Sequence, residues 1–121
     1  MSRLTEGLSE HLRPVIGTGH LIQIQFSLYQ VILVFEQMHI EVFQDCEIRC
    51  HTKEVWKWNA ERISDMSGFA MLLNSWLISY EIQRPDTVIF RFSNGCELIM
   101  SDDHSGFEIF VIHVGSKTIV V

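Results

Sequence analysis

Apolar and polar residues alternate with a period of two in several stretches of this chain, the pattern of strands that bury one face. In Leu21-Ile22-Gln23-Ile24-Gln25-Phe26 the apolar Ile22, Ile24 and Phe26 alternate with Gln23 and Gln25. After a turn around Leu28-Tyr29, Val31 to Phe35 is continuously apolar and rich in β-branched residues, which predicts either a central strand covered on both sides or a strand with one apolar face near an edge. Alternation returns from His39 to Phe43. The same order then recurs: Leu77 to Ile82, a turn at Arg84-Pro85-Asp86, Val88 to Phe92, and Cys96 to Met100 beyond Ser93-Asn94-Gly95. Ile32, Leu33 and Phe35 correspond to Ile89, Phe90 and Phe92, and Leu21-Ile22 to Leu77-Ile78 with a slip of one residue in the turn. The chain thus predicts two copies of one β-meander, within 17–51 and 75–121. A solenoid needs roughly three repeats or more to bury its faces, so two copies are expected to share one core.

Cys46-Glu47-Ile48-Arg49-Cys50-His51 alternates as well and predicts an extension of the first sheet, either as a further strand or as a continuation past a bulge at Gln44-Asp45. Trp56 and Trp58, two apart, share a face if they lie on a strand. Between the copies, Ser64-Asp65-Met66-Ser67 offers an N-cap, and Phe69, Leu72, Leu73 and Trp76 follow at helical spacing. One main helix over 64–76 is predicted, its stripe laid on the sheet. Leu4, Leu8 and Leu12 suggest a short amphipathic helix before Pro14. Alternation from Phe107 to Val114 and the apolar Thr118-Ile119-Val120-Val121 predict two last strands. The expected fold class is α+β: a strongly twisted antiparallel sheet of about seven to nine strands, built from two repeated β-meanders, with one main helix packed on it.

At 121 residues the chain fits a single domain, 1–121. Its net charge of -6, from 9 Lys and Arg against 15 Asp and Glu, disfavours nucleic-acid binding, which needs clustered cations, and suits a basic partner. Apolar runs such as Val31 to Phe35 and Phe69 to Leu73 fall far short of the roughly 20 residues a membrane span requires. Met1-Ser2-Arg3-Leu4-Thr5-Glu6-Gly7 lacks a secretory h-region, so a cytoplasmic address is expected. Cys46, Cys50 and Cys96 are an odd number in a chain large enough to need no staples, which predicts reduced thiols.

Candidate chemistry is sparse. No His pair has HxxxH spacing and no CxxC is present; Cys46-x-x-x-Cys50-His51 comes nearest to a metal cluster but suits a tetrahedral site poorly, so no metal and no cofactor are expected. Asp102, Asp103, His104 and Ser105 are neighbours in sequence, which does not make a triad, and no phosphate-cradling glycine motif occurs, so no enzyme is expected. What remains suits a protein interface. Asp45, Glu47, Asp102, Asp103, His104 and Glu108 come from loops and strand starts at matching ends of the two copies, with Asp45 and Asp103 each following a third strand. Together they are the candidate partner-binding residues, steering a basic surface electrostatically.

The ordered set Gly19-x-Leu21, Val-x-Leu-x-Phe, a helix ending in Leu72-Leu73, Phe90-Arg91-Phe92-Ser93-Asn94-Gly95-Cys96-Glu97-Leu98 and Phe107-Glu108-Ile109-Phe110 resembles small bacterial immunity proteins of polymorphic toxin systems, including contact-dependent growth inhibition. The resemblance covers about Gly17 to Val121. The first copy departs from it, with Glu36-Gln37-Met38-His39 where the second has Ser93-Asn94-Gly95-Cys96, which predicts another turn there. The resemblance implies a role: binding a cognate toxin C-terminal domain, one to one, and blocking its active or substrate-binding site. The acidic balance suits a nuclease-type toxin with a basic surface. The alternative is a small-molecule or peptide binder that uses an open half-barrel with a pocket lined by Trp56, Trp58 and Trp76.

Overall fold

A computed structural model of the chain describes residues 13, 16–17, 19–27, 30–50, 55–58, 67–83, 87–101, 110–115 and 117–120. Among these are ten strands and one helical turn: β1 (Leu21–Ser27), β2 (Gln30–Phe35), β3 (Met38–Val42), β4 (Cys46–Arg49), β5 (Val55–Trp58), α1 (Ser67–Ala70), β6 (Leu77–Gln83), β7 (Thr87–Phe92), β8 (Glu97–Ser101), β9 (Phe110–Val114) and β10 (Lys117–Val120). The strands form two antiparallel five-stranded sheets, ordered β1-β2-β3-β9-β10 and β5-β4-β8-β7-β6.

The expected α+β sheet with one main helix is corrected on both counts: the described residues are mostly β, ten strands in two sheets rather than about seven to nine in one, with no substantial helix among them. The helical stripe fails for a tertiary reason. After α1 the backbone bonds tighten to three-residue spacing (Leu72 N–H to the Phe69 carbonyl, 3.0 Å; Leu73 N–H to that of Ala70, 3.2 Å), and Asn74 takes a positive φ of 65°. The Asn74 N–H then donates to the Leu21 carbonyl at 2.8 Å, and the Leu21 N–H to the Ser75 carbonyl at 2.7 Å. Pairing with the start of β1 claims the groups a longer helix would have used. The expected helix start at 64–66 and, apart from Arg13, the N-terminal helix over 2–13 lie outside the described residues.

The two meanders share one register. β1 and β2 pair Leu21 with Phe35, slip, and resume at Gln23 with Val34; β6 and β7 pair Leu77 with Phe92, slip, and resume at Ser79 with Arg91. They differ at the next connection. Glu36-Gln37 joins β2 to β3, whereas Ser93-Asn94-Gly95 joins β7 to β8, with Gly95 at φ 90° and the Asn94 side-chain oxygen accepting from the Cys96 N–H. Beyond the third strand each half crosses over: β4 and β5 leave the first meander and pair with β8 of the second, while β9 and β10 return to pair with β3. The expectation that Cys46 to His51 extends the first sheet is corrected accordingly. Each sheet combines three strands of one half with a hairpin of the other.

Repeat-related residues meet where the halves cross. Phe35 stacks on Phe92, its counterpart, with centroids 6.4 Å apart, and His20 lies edge-on to its counterpart Trp76 at 5.0 Å. The core fills the space between the sheets: Val31, Leu33, Ile40 and Val42 from one side and Val88, Phe90, Leu98 and Met100 from the other are fully buried, and Phe90 meets Phe110 edge-to-face at 5.4 Å. Phe69 of α1 plugs one end, between Phe26 and Trp58. Gly68 lies against Trp56 so closely that an added Cβ would sit 2.4 Å from the Trp56 Cβ. Gly68→Ala should therefore cost about 1–3 kcal/mol in a urea melt, because the strand, not a flexible side-chain end, would have to move.

Cys50 and Cys96 form a disulfide, and Cys46 is a buried free thiol. The expectation of three reduced thiols is corrected: the register that sets Arg49 opposite Glu97 brings the next pair, Cys50 and Cys96, into direct opposition across neighbouring strands. Among the described residues no helix is long and apolar enough to cross a membrane.

Candidate functional site

Of the acids expected at a partner surface, Asp45 is exposed in the β3–β4 connection and Glu47 lies half-buried on β4. Glu47 sits between Lys57 of β5 and Ile99 of β8 in register and accepts a hydrogen bond from Arg49 Nε. Asp102, Asp103, His104 and Glu108 lie outside the described residues, as do Ser105 and His51. The same outer face carries a ladder of ion pairs. Arg91 donates from Nη2 to Glu81 at 2.8 Å and from Nε to Glu97 at 3.0 Å, and Gln83 donates to Glu81 at 2.6 Å. The Gln83 bond, then that of Arg91, holds the Glu81 carboxyl below the usual range, while Glu81 pushes the Arg91 pKa up. Solvent-exposed pairs of this kind add little stability, so the ladder mainly balances charge locally.

The outer face of the other sheet is built differently. His39 and Glu41, two apart on β3, point away from the core, and His113 on β9 stands directly opposite His39. The two imidazoles stack at 4.3 Å with an interplanar angle of 23°. One ligand atom from each of His39, Glu41 and His113 lies within 4.8 Å of the others. His113 Nε2 is 3.3 Å from Glu41 Oε1 yet is buried without an aligned hydrogen-bond partner among the described residues, and its Nδ1 is 3.3 Å from Thr118 Oγ1 on β10. This cluster escapes a search for local spacing: His39-x-Glu41 is a short strand repeat, and His113 reaches it only through β9 returning to β3. Among the described residues Cys46 belongs to no such group, and burial pushes its thiol pKa well up and keeps it protonated.

A third feature lies where the halves cross. Ile22 and its counterpart Ile78 are 59% and 49% exposed, and Met71, Leu73 and Trp76 are exposed in the segment that pairs with the start of β1. Beside them, Glu36 accepts from the His20 backbone N–H at 2.8 Å and from its ring at 2.9 Å, which holds the Glu36 carboxyl below the usual range. Trp58, by contrast, is buried against Phe69, and Trp56 rests on Gly68, so these two serve packing while Trp76 faces His20. Trp56 and Trp58 thus lie together against α1, on Gly68 and Phe69, while Trp76 stands at the crossing beside His20. Comparison with family models, with curated proteins and with solved structures finds no match to this chain.

Proposed function

We propose that this chain is an immunity protein: it binds one toxin domain and neutralises it by covering the toxin's active or substrate-binding surface, without catalysis of its own. The role comes from the resemblance in sequence. The observation that carries it further is the group of exposed apolar side chains, Ile22, Met71, Leu73, Trp76 and Ile78, on two short segments that cross, in a chain of net charge -6. Single exposed apolar residues are ordinary, but several on adjoining segments, with a tryptophan among them, match the centre of a protein interface. The surplus of acid suits a basic partner such as a nuclease, and Asp45, Glu47, Asp102, Asp103, His104 and Glu108 are proposed to steer it. The reading places the protein in the cytoplasm, where such a toxin acts.

The test uses the product of the gene immediately upstream, which this reading takes to carry the toxin domain. Co-expression should rescue growth, and the purified pair should form a one-to-one complex. Trp76→Ala should weaken that complex by about 2 kcal/mol, roughly 30-fold, mainly through faster dissociation. The double reversal of Asp102 and Asp103 to Lys should instead slow association and flatten its salt dependence. Failure of the neighbouring domain to bind overturns the proposal; a wild-type affinity in Trp76→Ala moves the interface to another face.

A further inference from the structure

We propose that His39, Glu41 and His113 bind one divalent transition-metal ion of borderline softness, with zinc the occupant that the donor set fits best. The inference is independent of the partner proposed above. It starts from the register, which places His39 and His113 side by side on neighbouring strands with Glu41 next along the same face. Both strands are interior to their sheet, so the ligands stand on a scaffold held on either side. Ile32 and Val34 on β2 pair with Glu41 and His39, and Val111 of β9 pairs with Glu41, which gives the cluster apolar neighbours that restrict water.

The state of His113 carries the argument furthest. Its Nε2 is buried and aimed beside the Glu41 carboxylate without a hydrogen bond among the described residues, an arrangement native proteins rarely leave unsatisfied. Its other nitrogen faces the Thr118 hydroxyl at 3.3 Å. When Nδ1–H donates to Thr118, the lone pair rests on Nε2 and points into the cluster, the tautomer a metal requires and the kind of outer support that metal-binding histidines have.

The second sheet supplies an internal control. The row Val34, His39, His113 across β2, β3 and β9 corresponds to Arg91, Glu97, Arg49 across β7, β8 and β4. There the polar groups satisfy one another, Arg91 with Glu97 and Arg49 with Glu47. At the histidine row a nitrogen is left over among the described residues. The ligand atoms, within 4.8 Å of one another, need only small side-chain rotations to reach the roughly 2.0–2.2 Å that zinc takes to imidazole and carboxylate. Two nitrogens and one oxygen suit zinc, cobalt, nickel or copper; magnesium and calcium prefer oxygen alone. Three protein ligands leave a coordination position for water.

The experiment uses tag-free, chelator-treated full-length protein, titrated with Co2+ followed by its visible absorption and with Zn2+ by calorimetry. One equivalent should bind to the wild type. His39→Ala and His113→Ala should weaken binding at least about 100-fold, Glu41→Gln at least about tenfold, and Thr118→Val, which touches no ion, about tenfold. His20→Ala should bind as the wild type does, and zinc should raise the melting temperature of the wild type more than that of Glu41→Gln. If His113→Ala fails to fold, Glu41→Gln and Thr118→Val decide. Binding that persists unchanged in His39→Ala and Glu41→Gln places the ion elsewhere and overturns the assignment. Absence of stoichiometric binding also overturns it, leaving His113 and Glu41 as a simple ion pair.

Discussion

Replacing Cys50 and Cys96 together with alanine should lower the free energy of unfolding by about 4 kcal/mol, the loop-entropy value for a separation of 46 residues. The bond closes a long loop and joins β4, from the first half, to the start of β8, from the second, so in the unfolded chain it removes much of the freedom that separates the halves. Urea melts of the wild type with and without reductant, and of the double variant, measure it: reductant and substitution should shift the midpoint alike. Cys46 should stay unreactive in the folded protein, because burial keeps its thiol protonated. A loss below about 1 kcal/mol would mean that residual structure in the unfolded chain already restrains the two ends as the bond does. The redox state of the pair also reads out compartment. Disulfides persist mainly in oxidising surroundings, so an oxidised pair trapped in freshly lysed cells would count against the cytoplasmic placement proposed above.

Phe90→Ala should cost about 3–5 kcal/mol. Phe90 is fully buried on β7, inside its sheet, and its ring meets Phe110 of the opposing sheet, so truncation opens a cavity between two sheets that close-packing does not let collapse. Phe69→Ala and Leu72→Ala should fall in the range of about 2–5 kcal/mol, since both side chains are buried although the helix that was to carry them is a single turn. Trp76→Ala should cost less than about 1 kcal/mol, because its side chain is more than a third exposed and stands outside the main core. Chemical melts of the four variants would rank them, and a Trp76→Ala loss equal to that of Phe90→Ala would show that the crossing segments, rather than the sheet-to-sheet core, hold the fold.

Much of the strand content was legible because its cause is local. Alternation of period two marks β3 and β4 directly, Asn94-Gly95 announces a turn by accepting backbone angles that other residues resist, and the shared order of apolar residues exposes the two meanders. Trp56 and Trp58 do share the core side of β5, as their spacing implies. The predicted helix failed where local preference met a nonlocal competitor. Phe69 and Leu72 are buried as a helical stripe requires, yet Asn74 and Ser75 bond to Leu21, and two well-aligned strand-like bonds outweigh a few tenths of a kcal/mol of propensity per residue.

Sheet membership, too, was decided only in three dimensions. β4 and β9 each carry an apolar face that either third strand could cover, and periodicity says which face is buried but not against what. The choice of β8 for β4 and of β3 for β9 brought Cys50 to Cys96 and His113 to His39, two juxtapositions with the largest chemical consequences in the molecule. The acids were visible as charge in the sequence because charge is a property of single residues; Asp45 and Glu47 lie on or beside β4, as their alternation suggests. A ligand cluster is a property of distances between residues remote in the chain. The sequence by itself determined most of the strands, the buried faces of β3 and β4 and the surplus of acid, because each follows from the nearest few residues, while the tertiary structure decided which strands are neighbours, which left Ile22 and Phe26 of β1 exposed, and with that the disulfide and the histidine cluster.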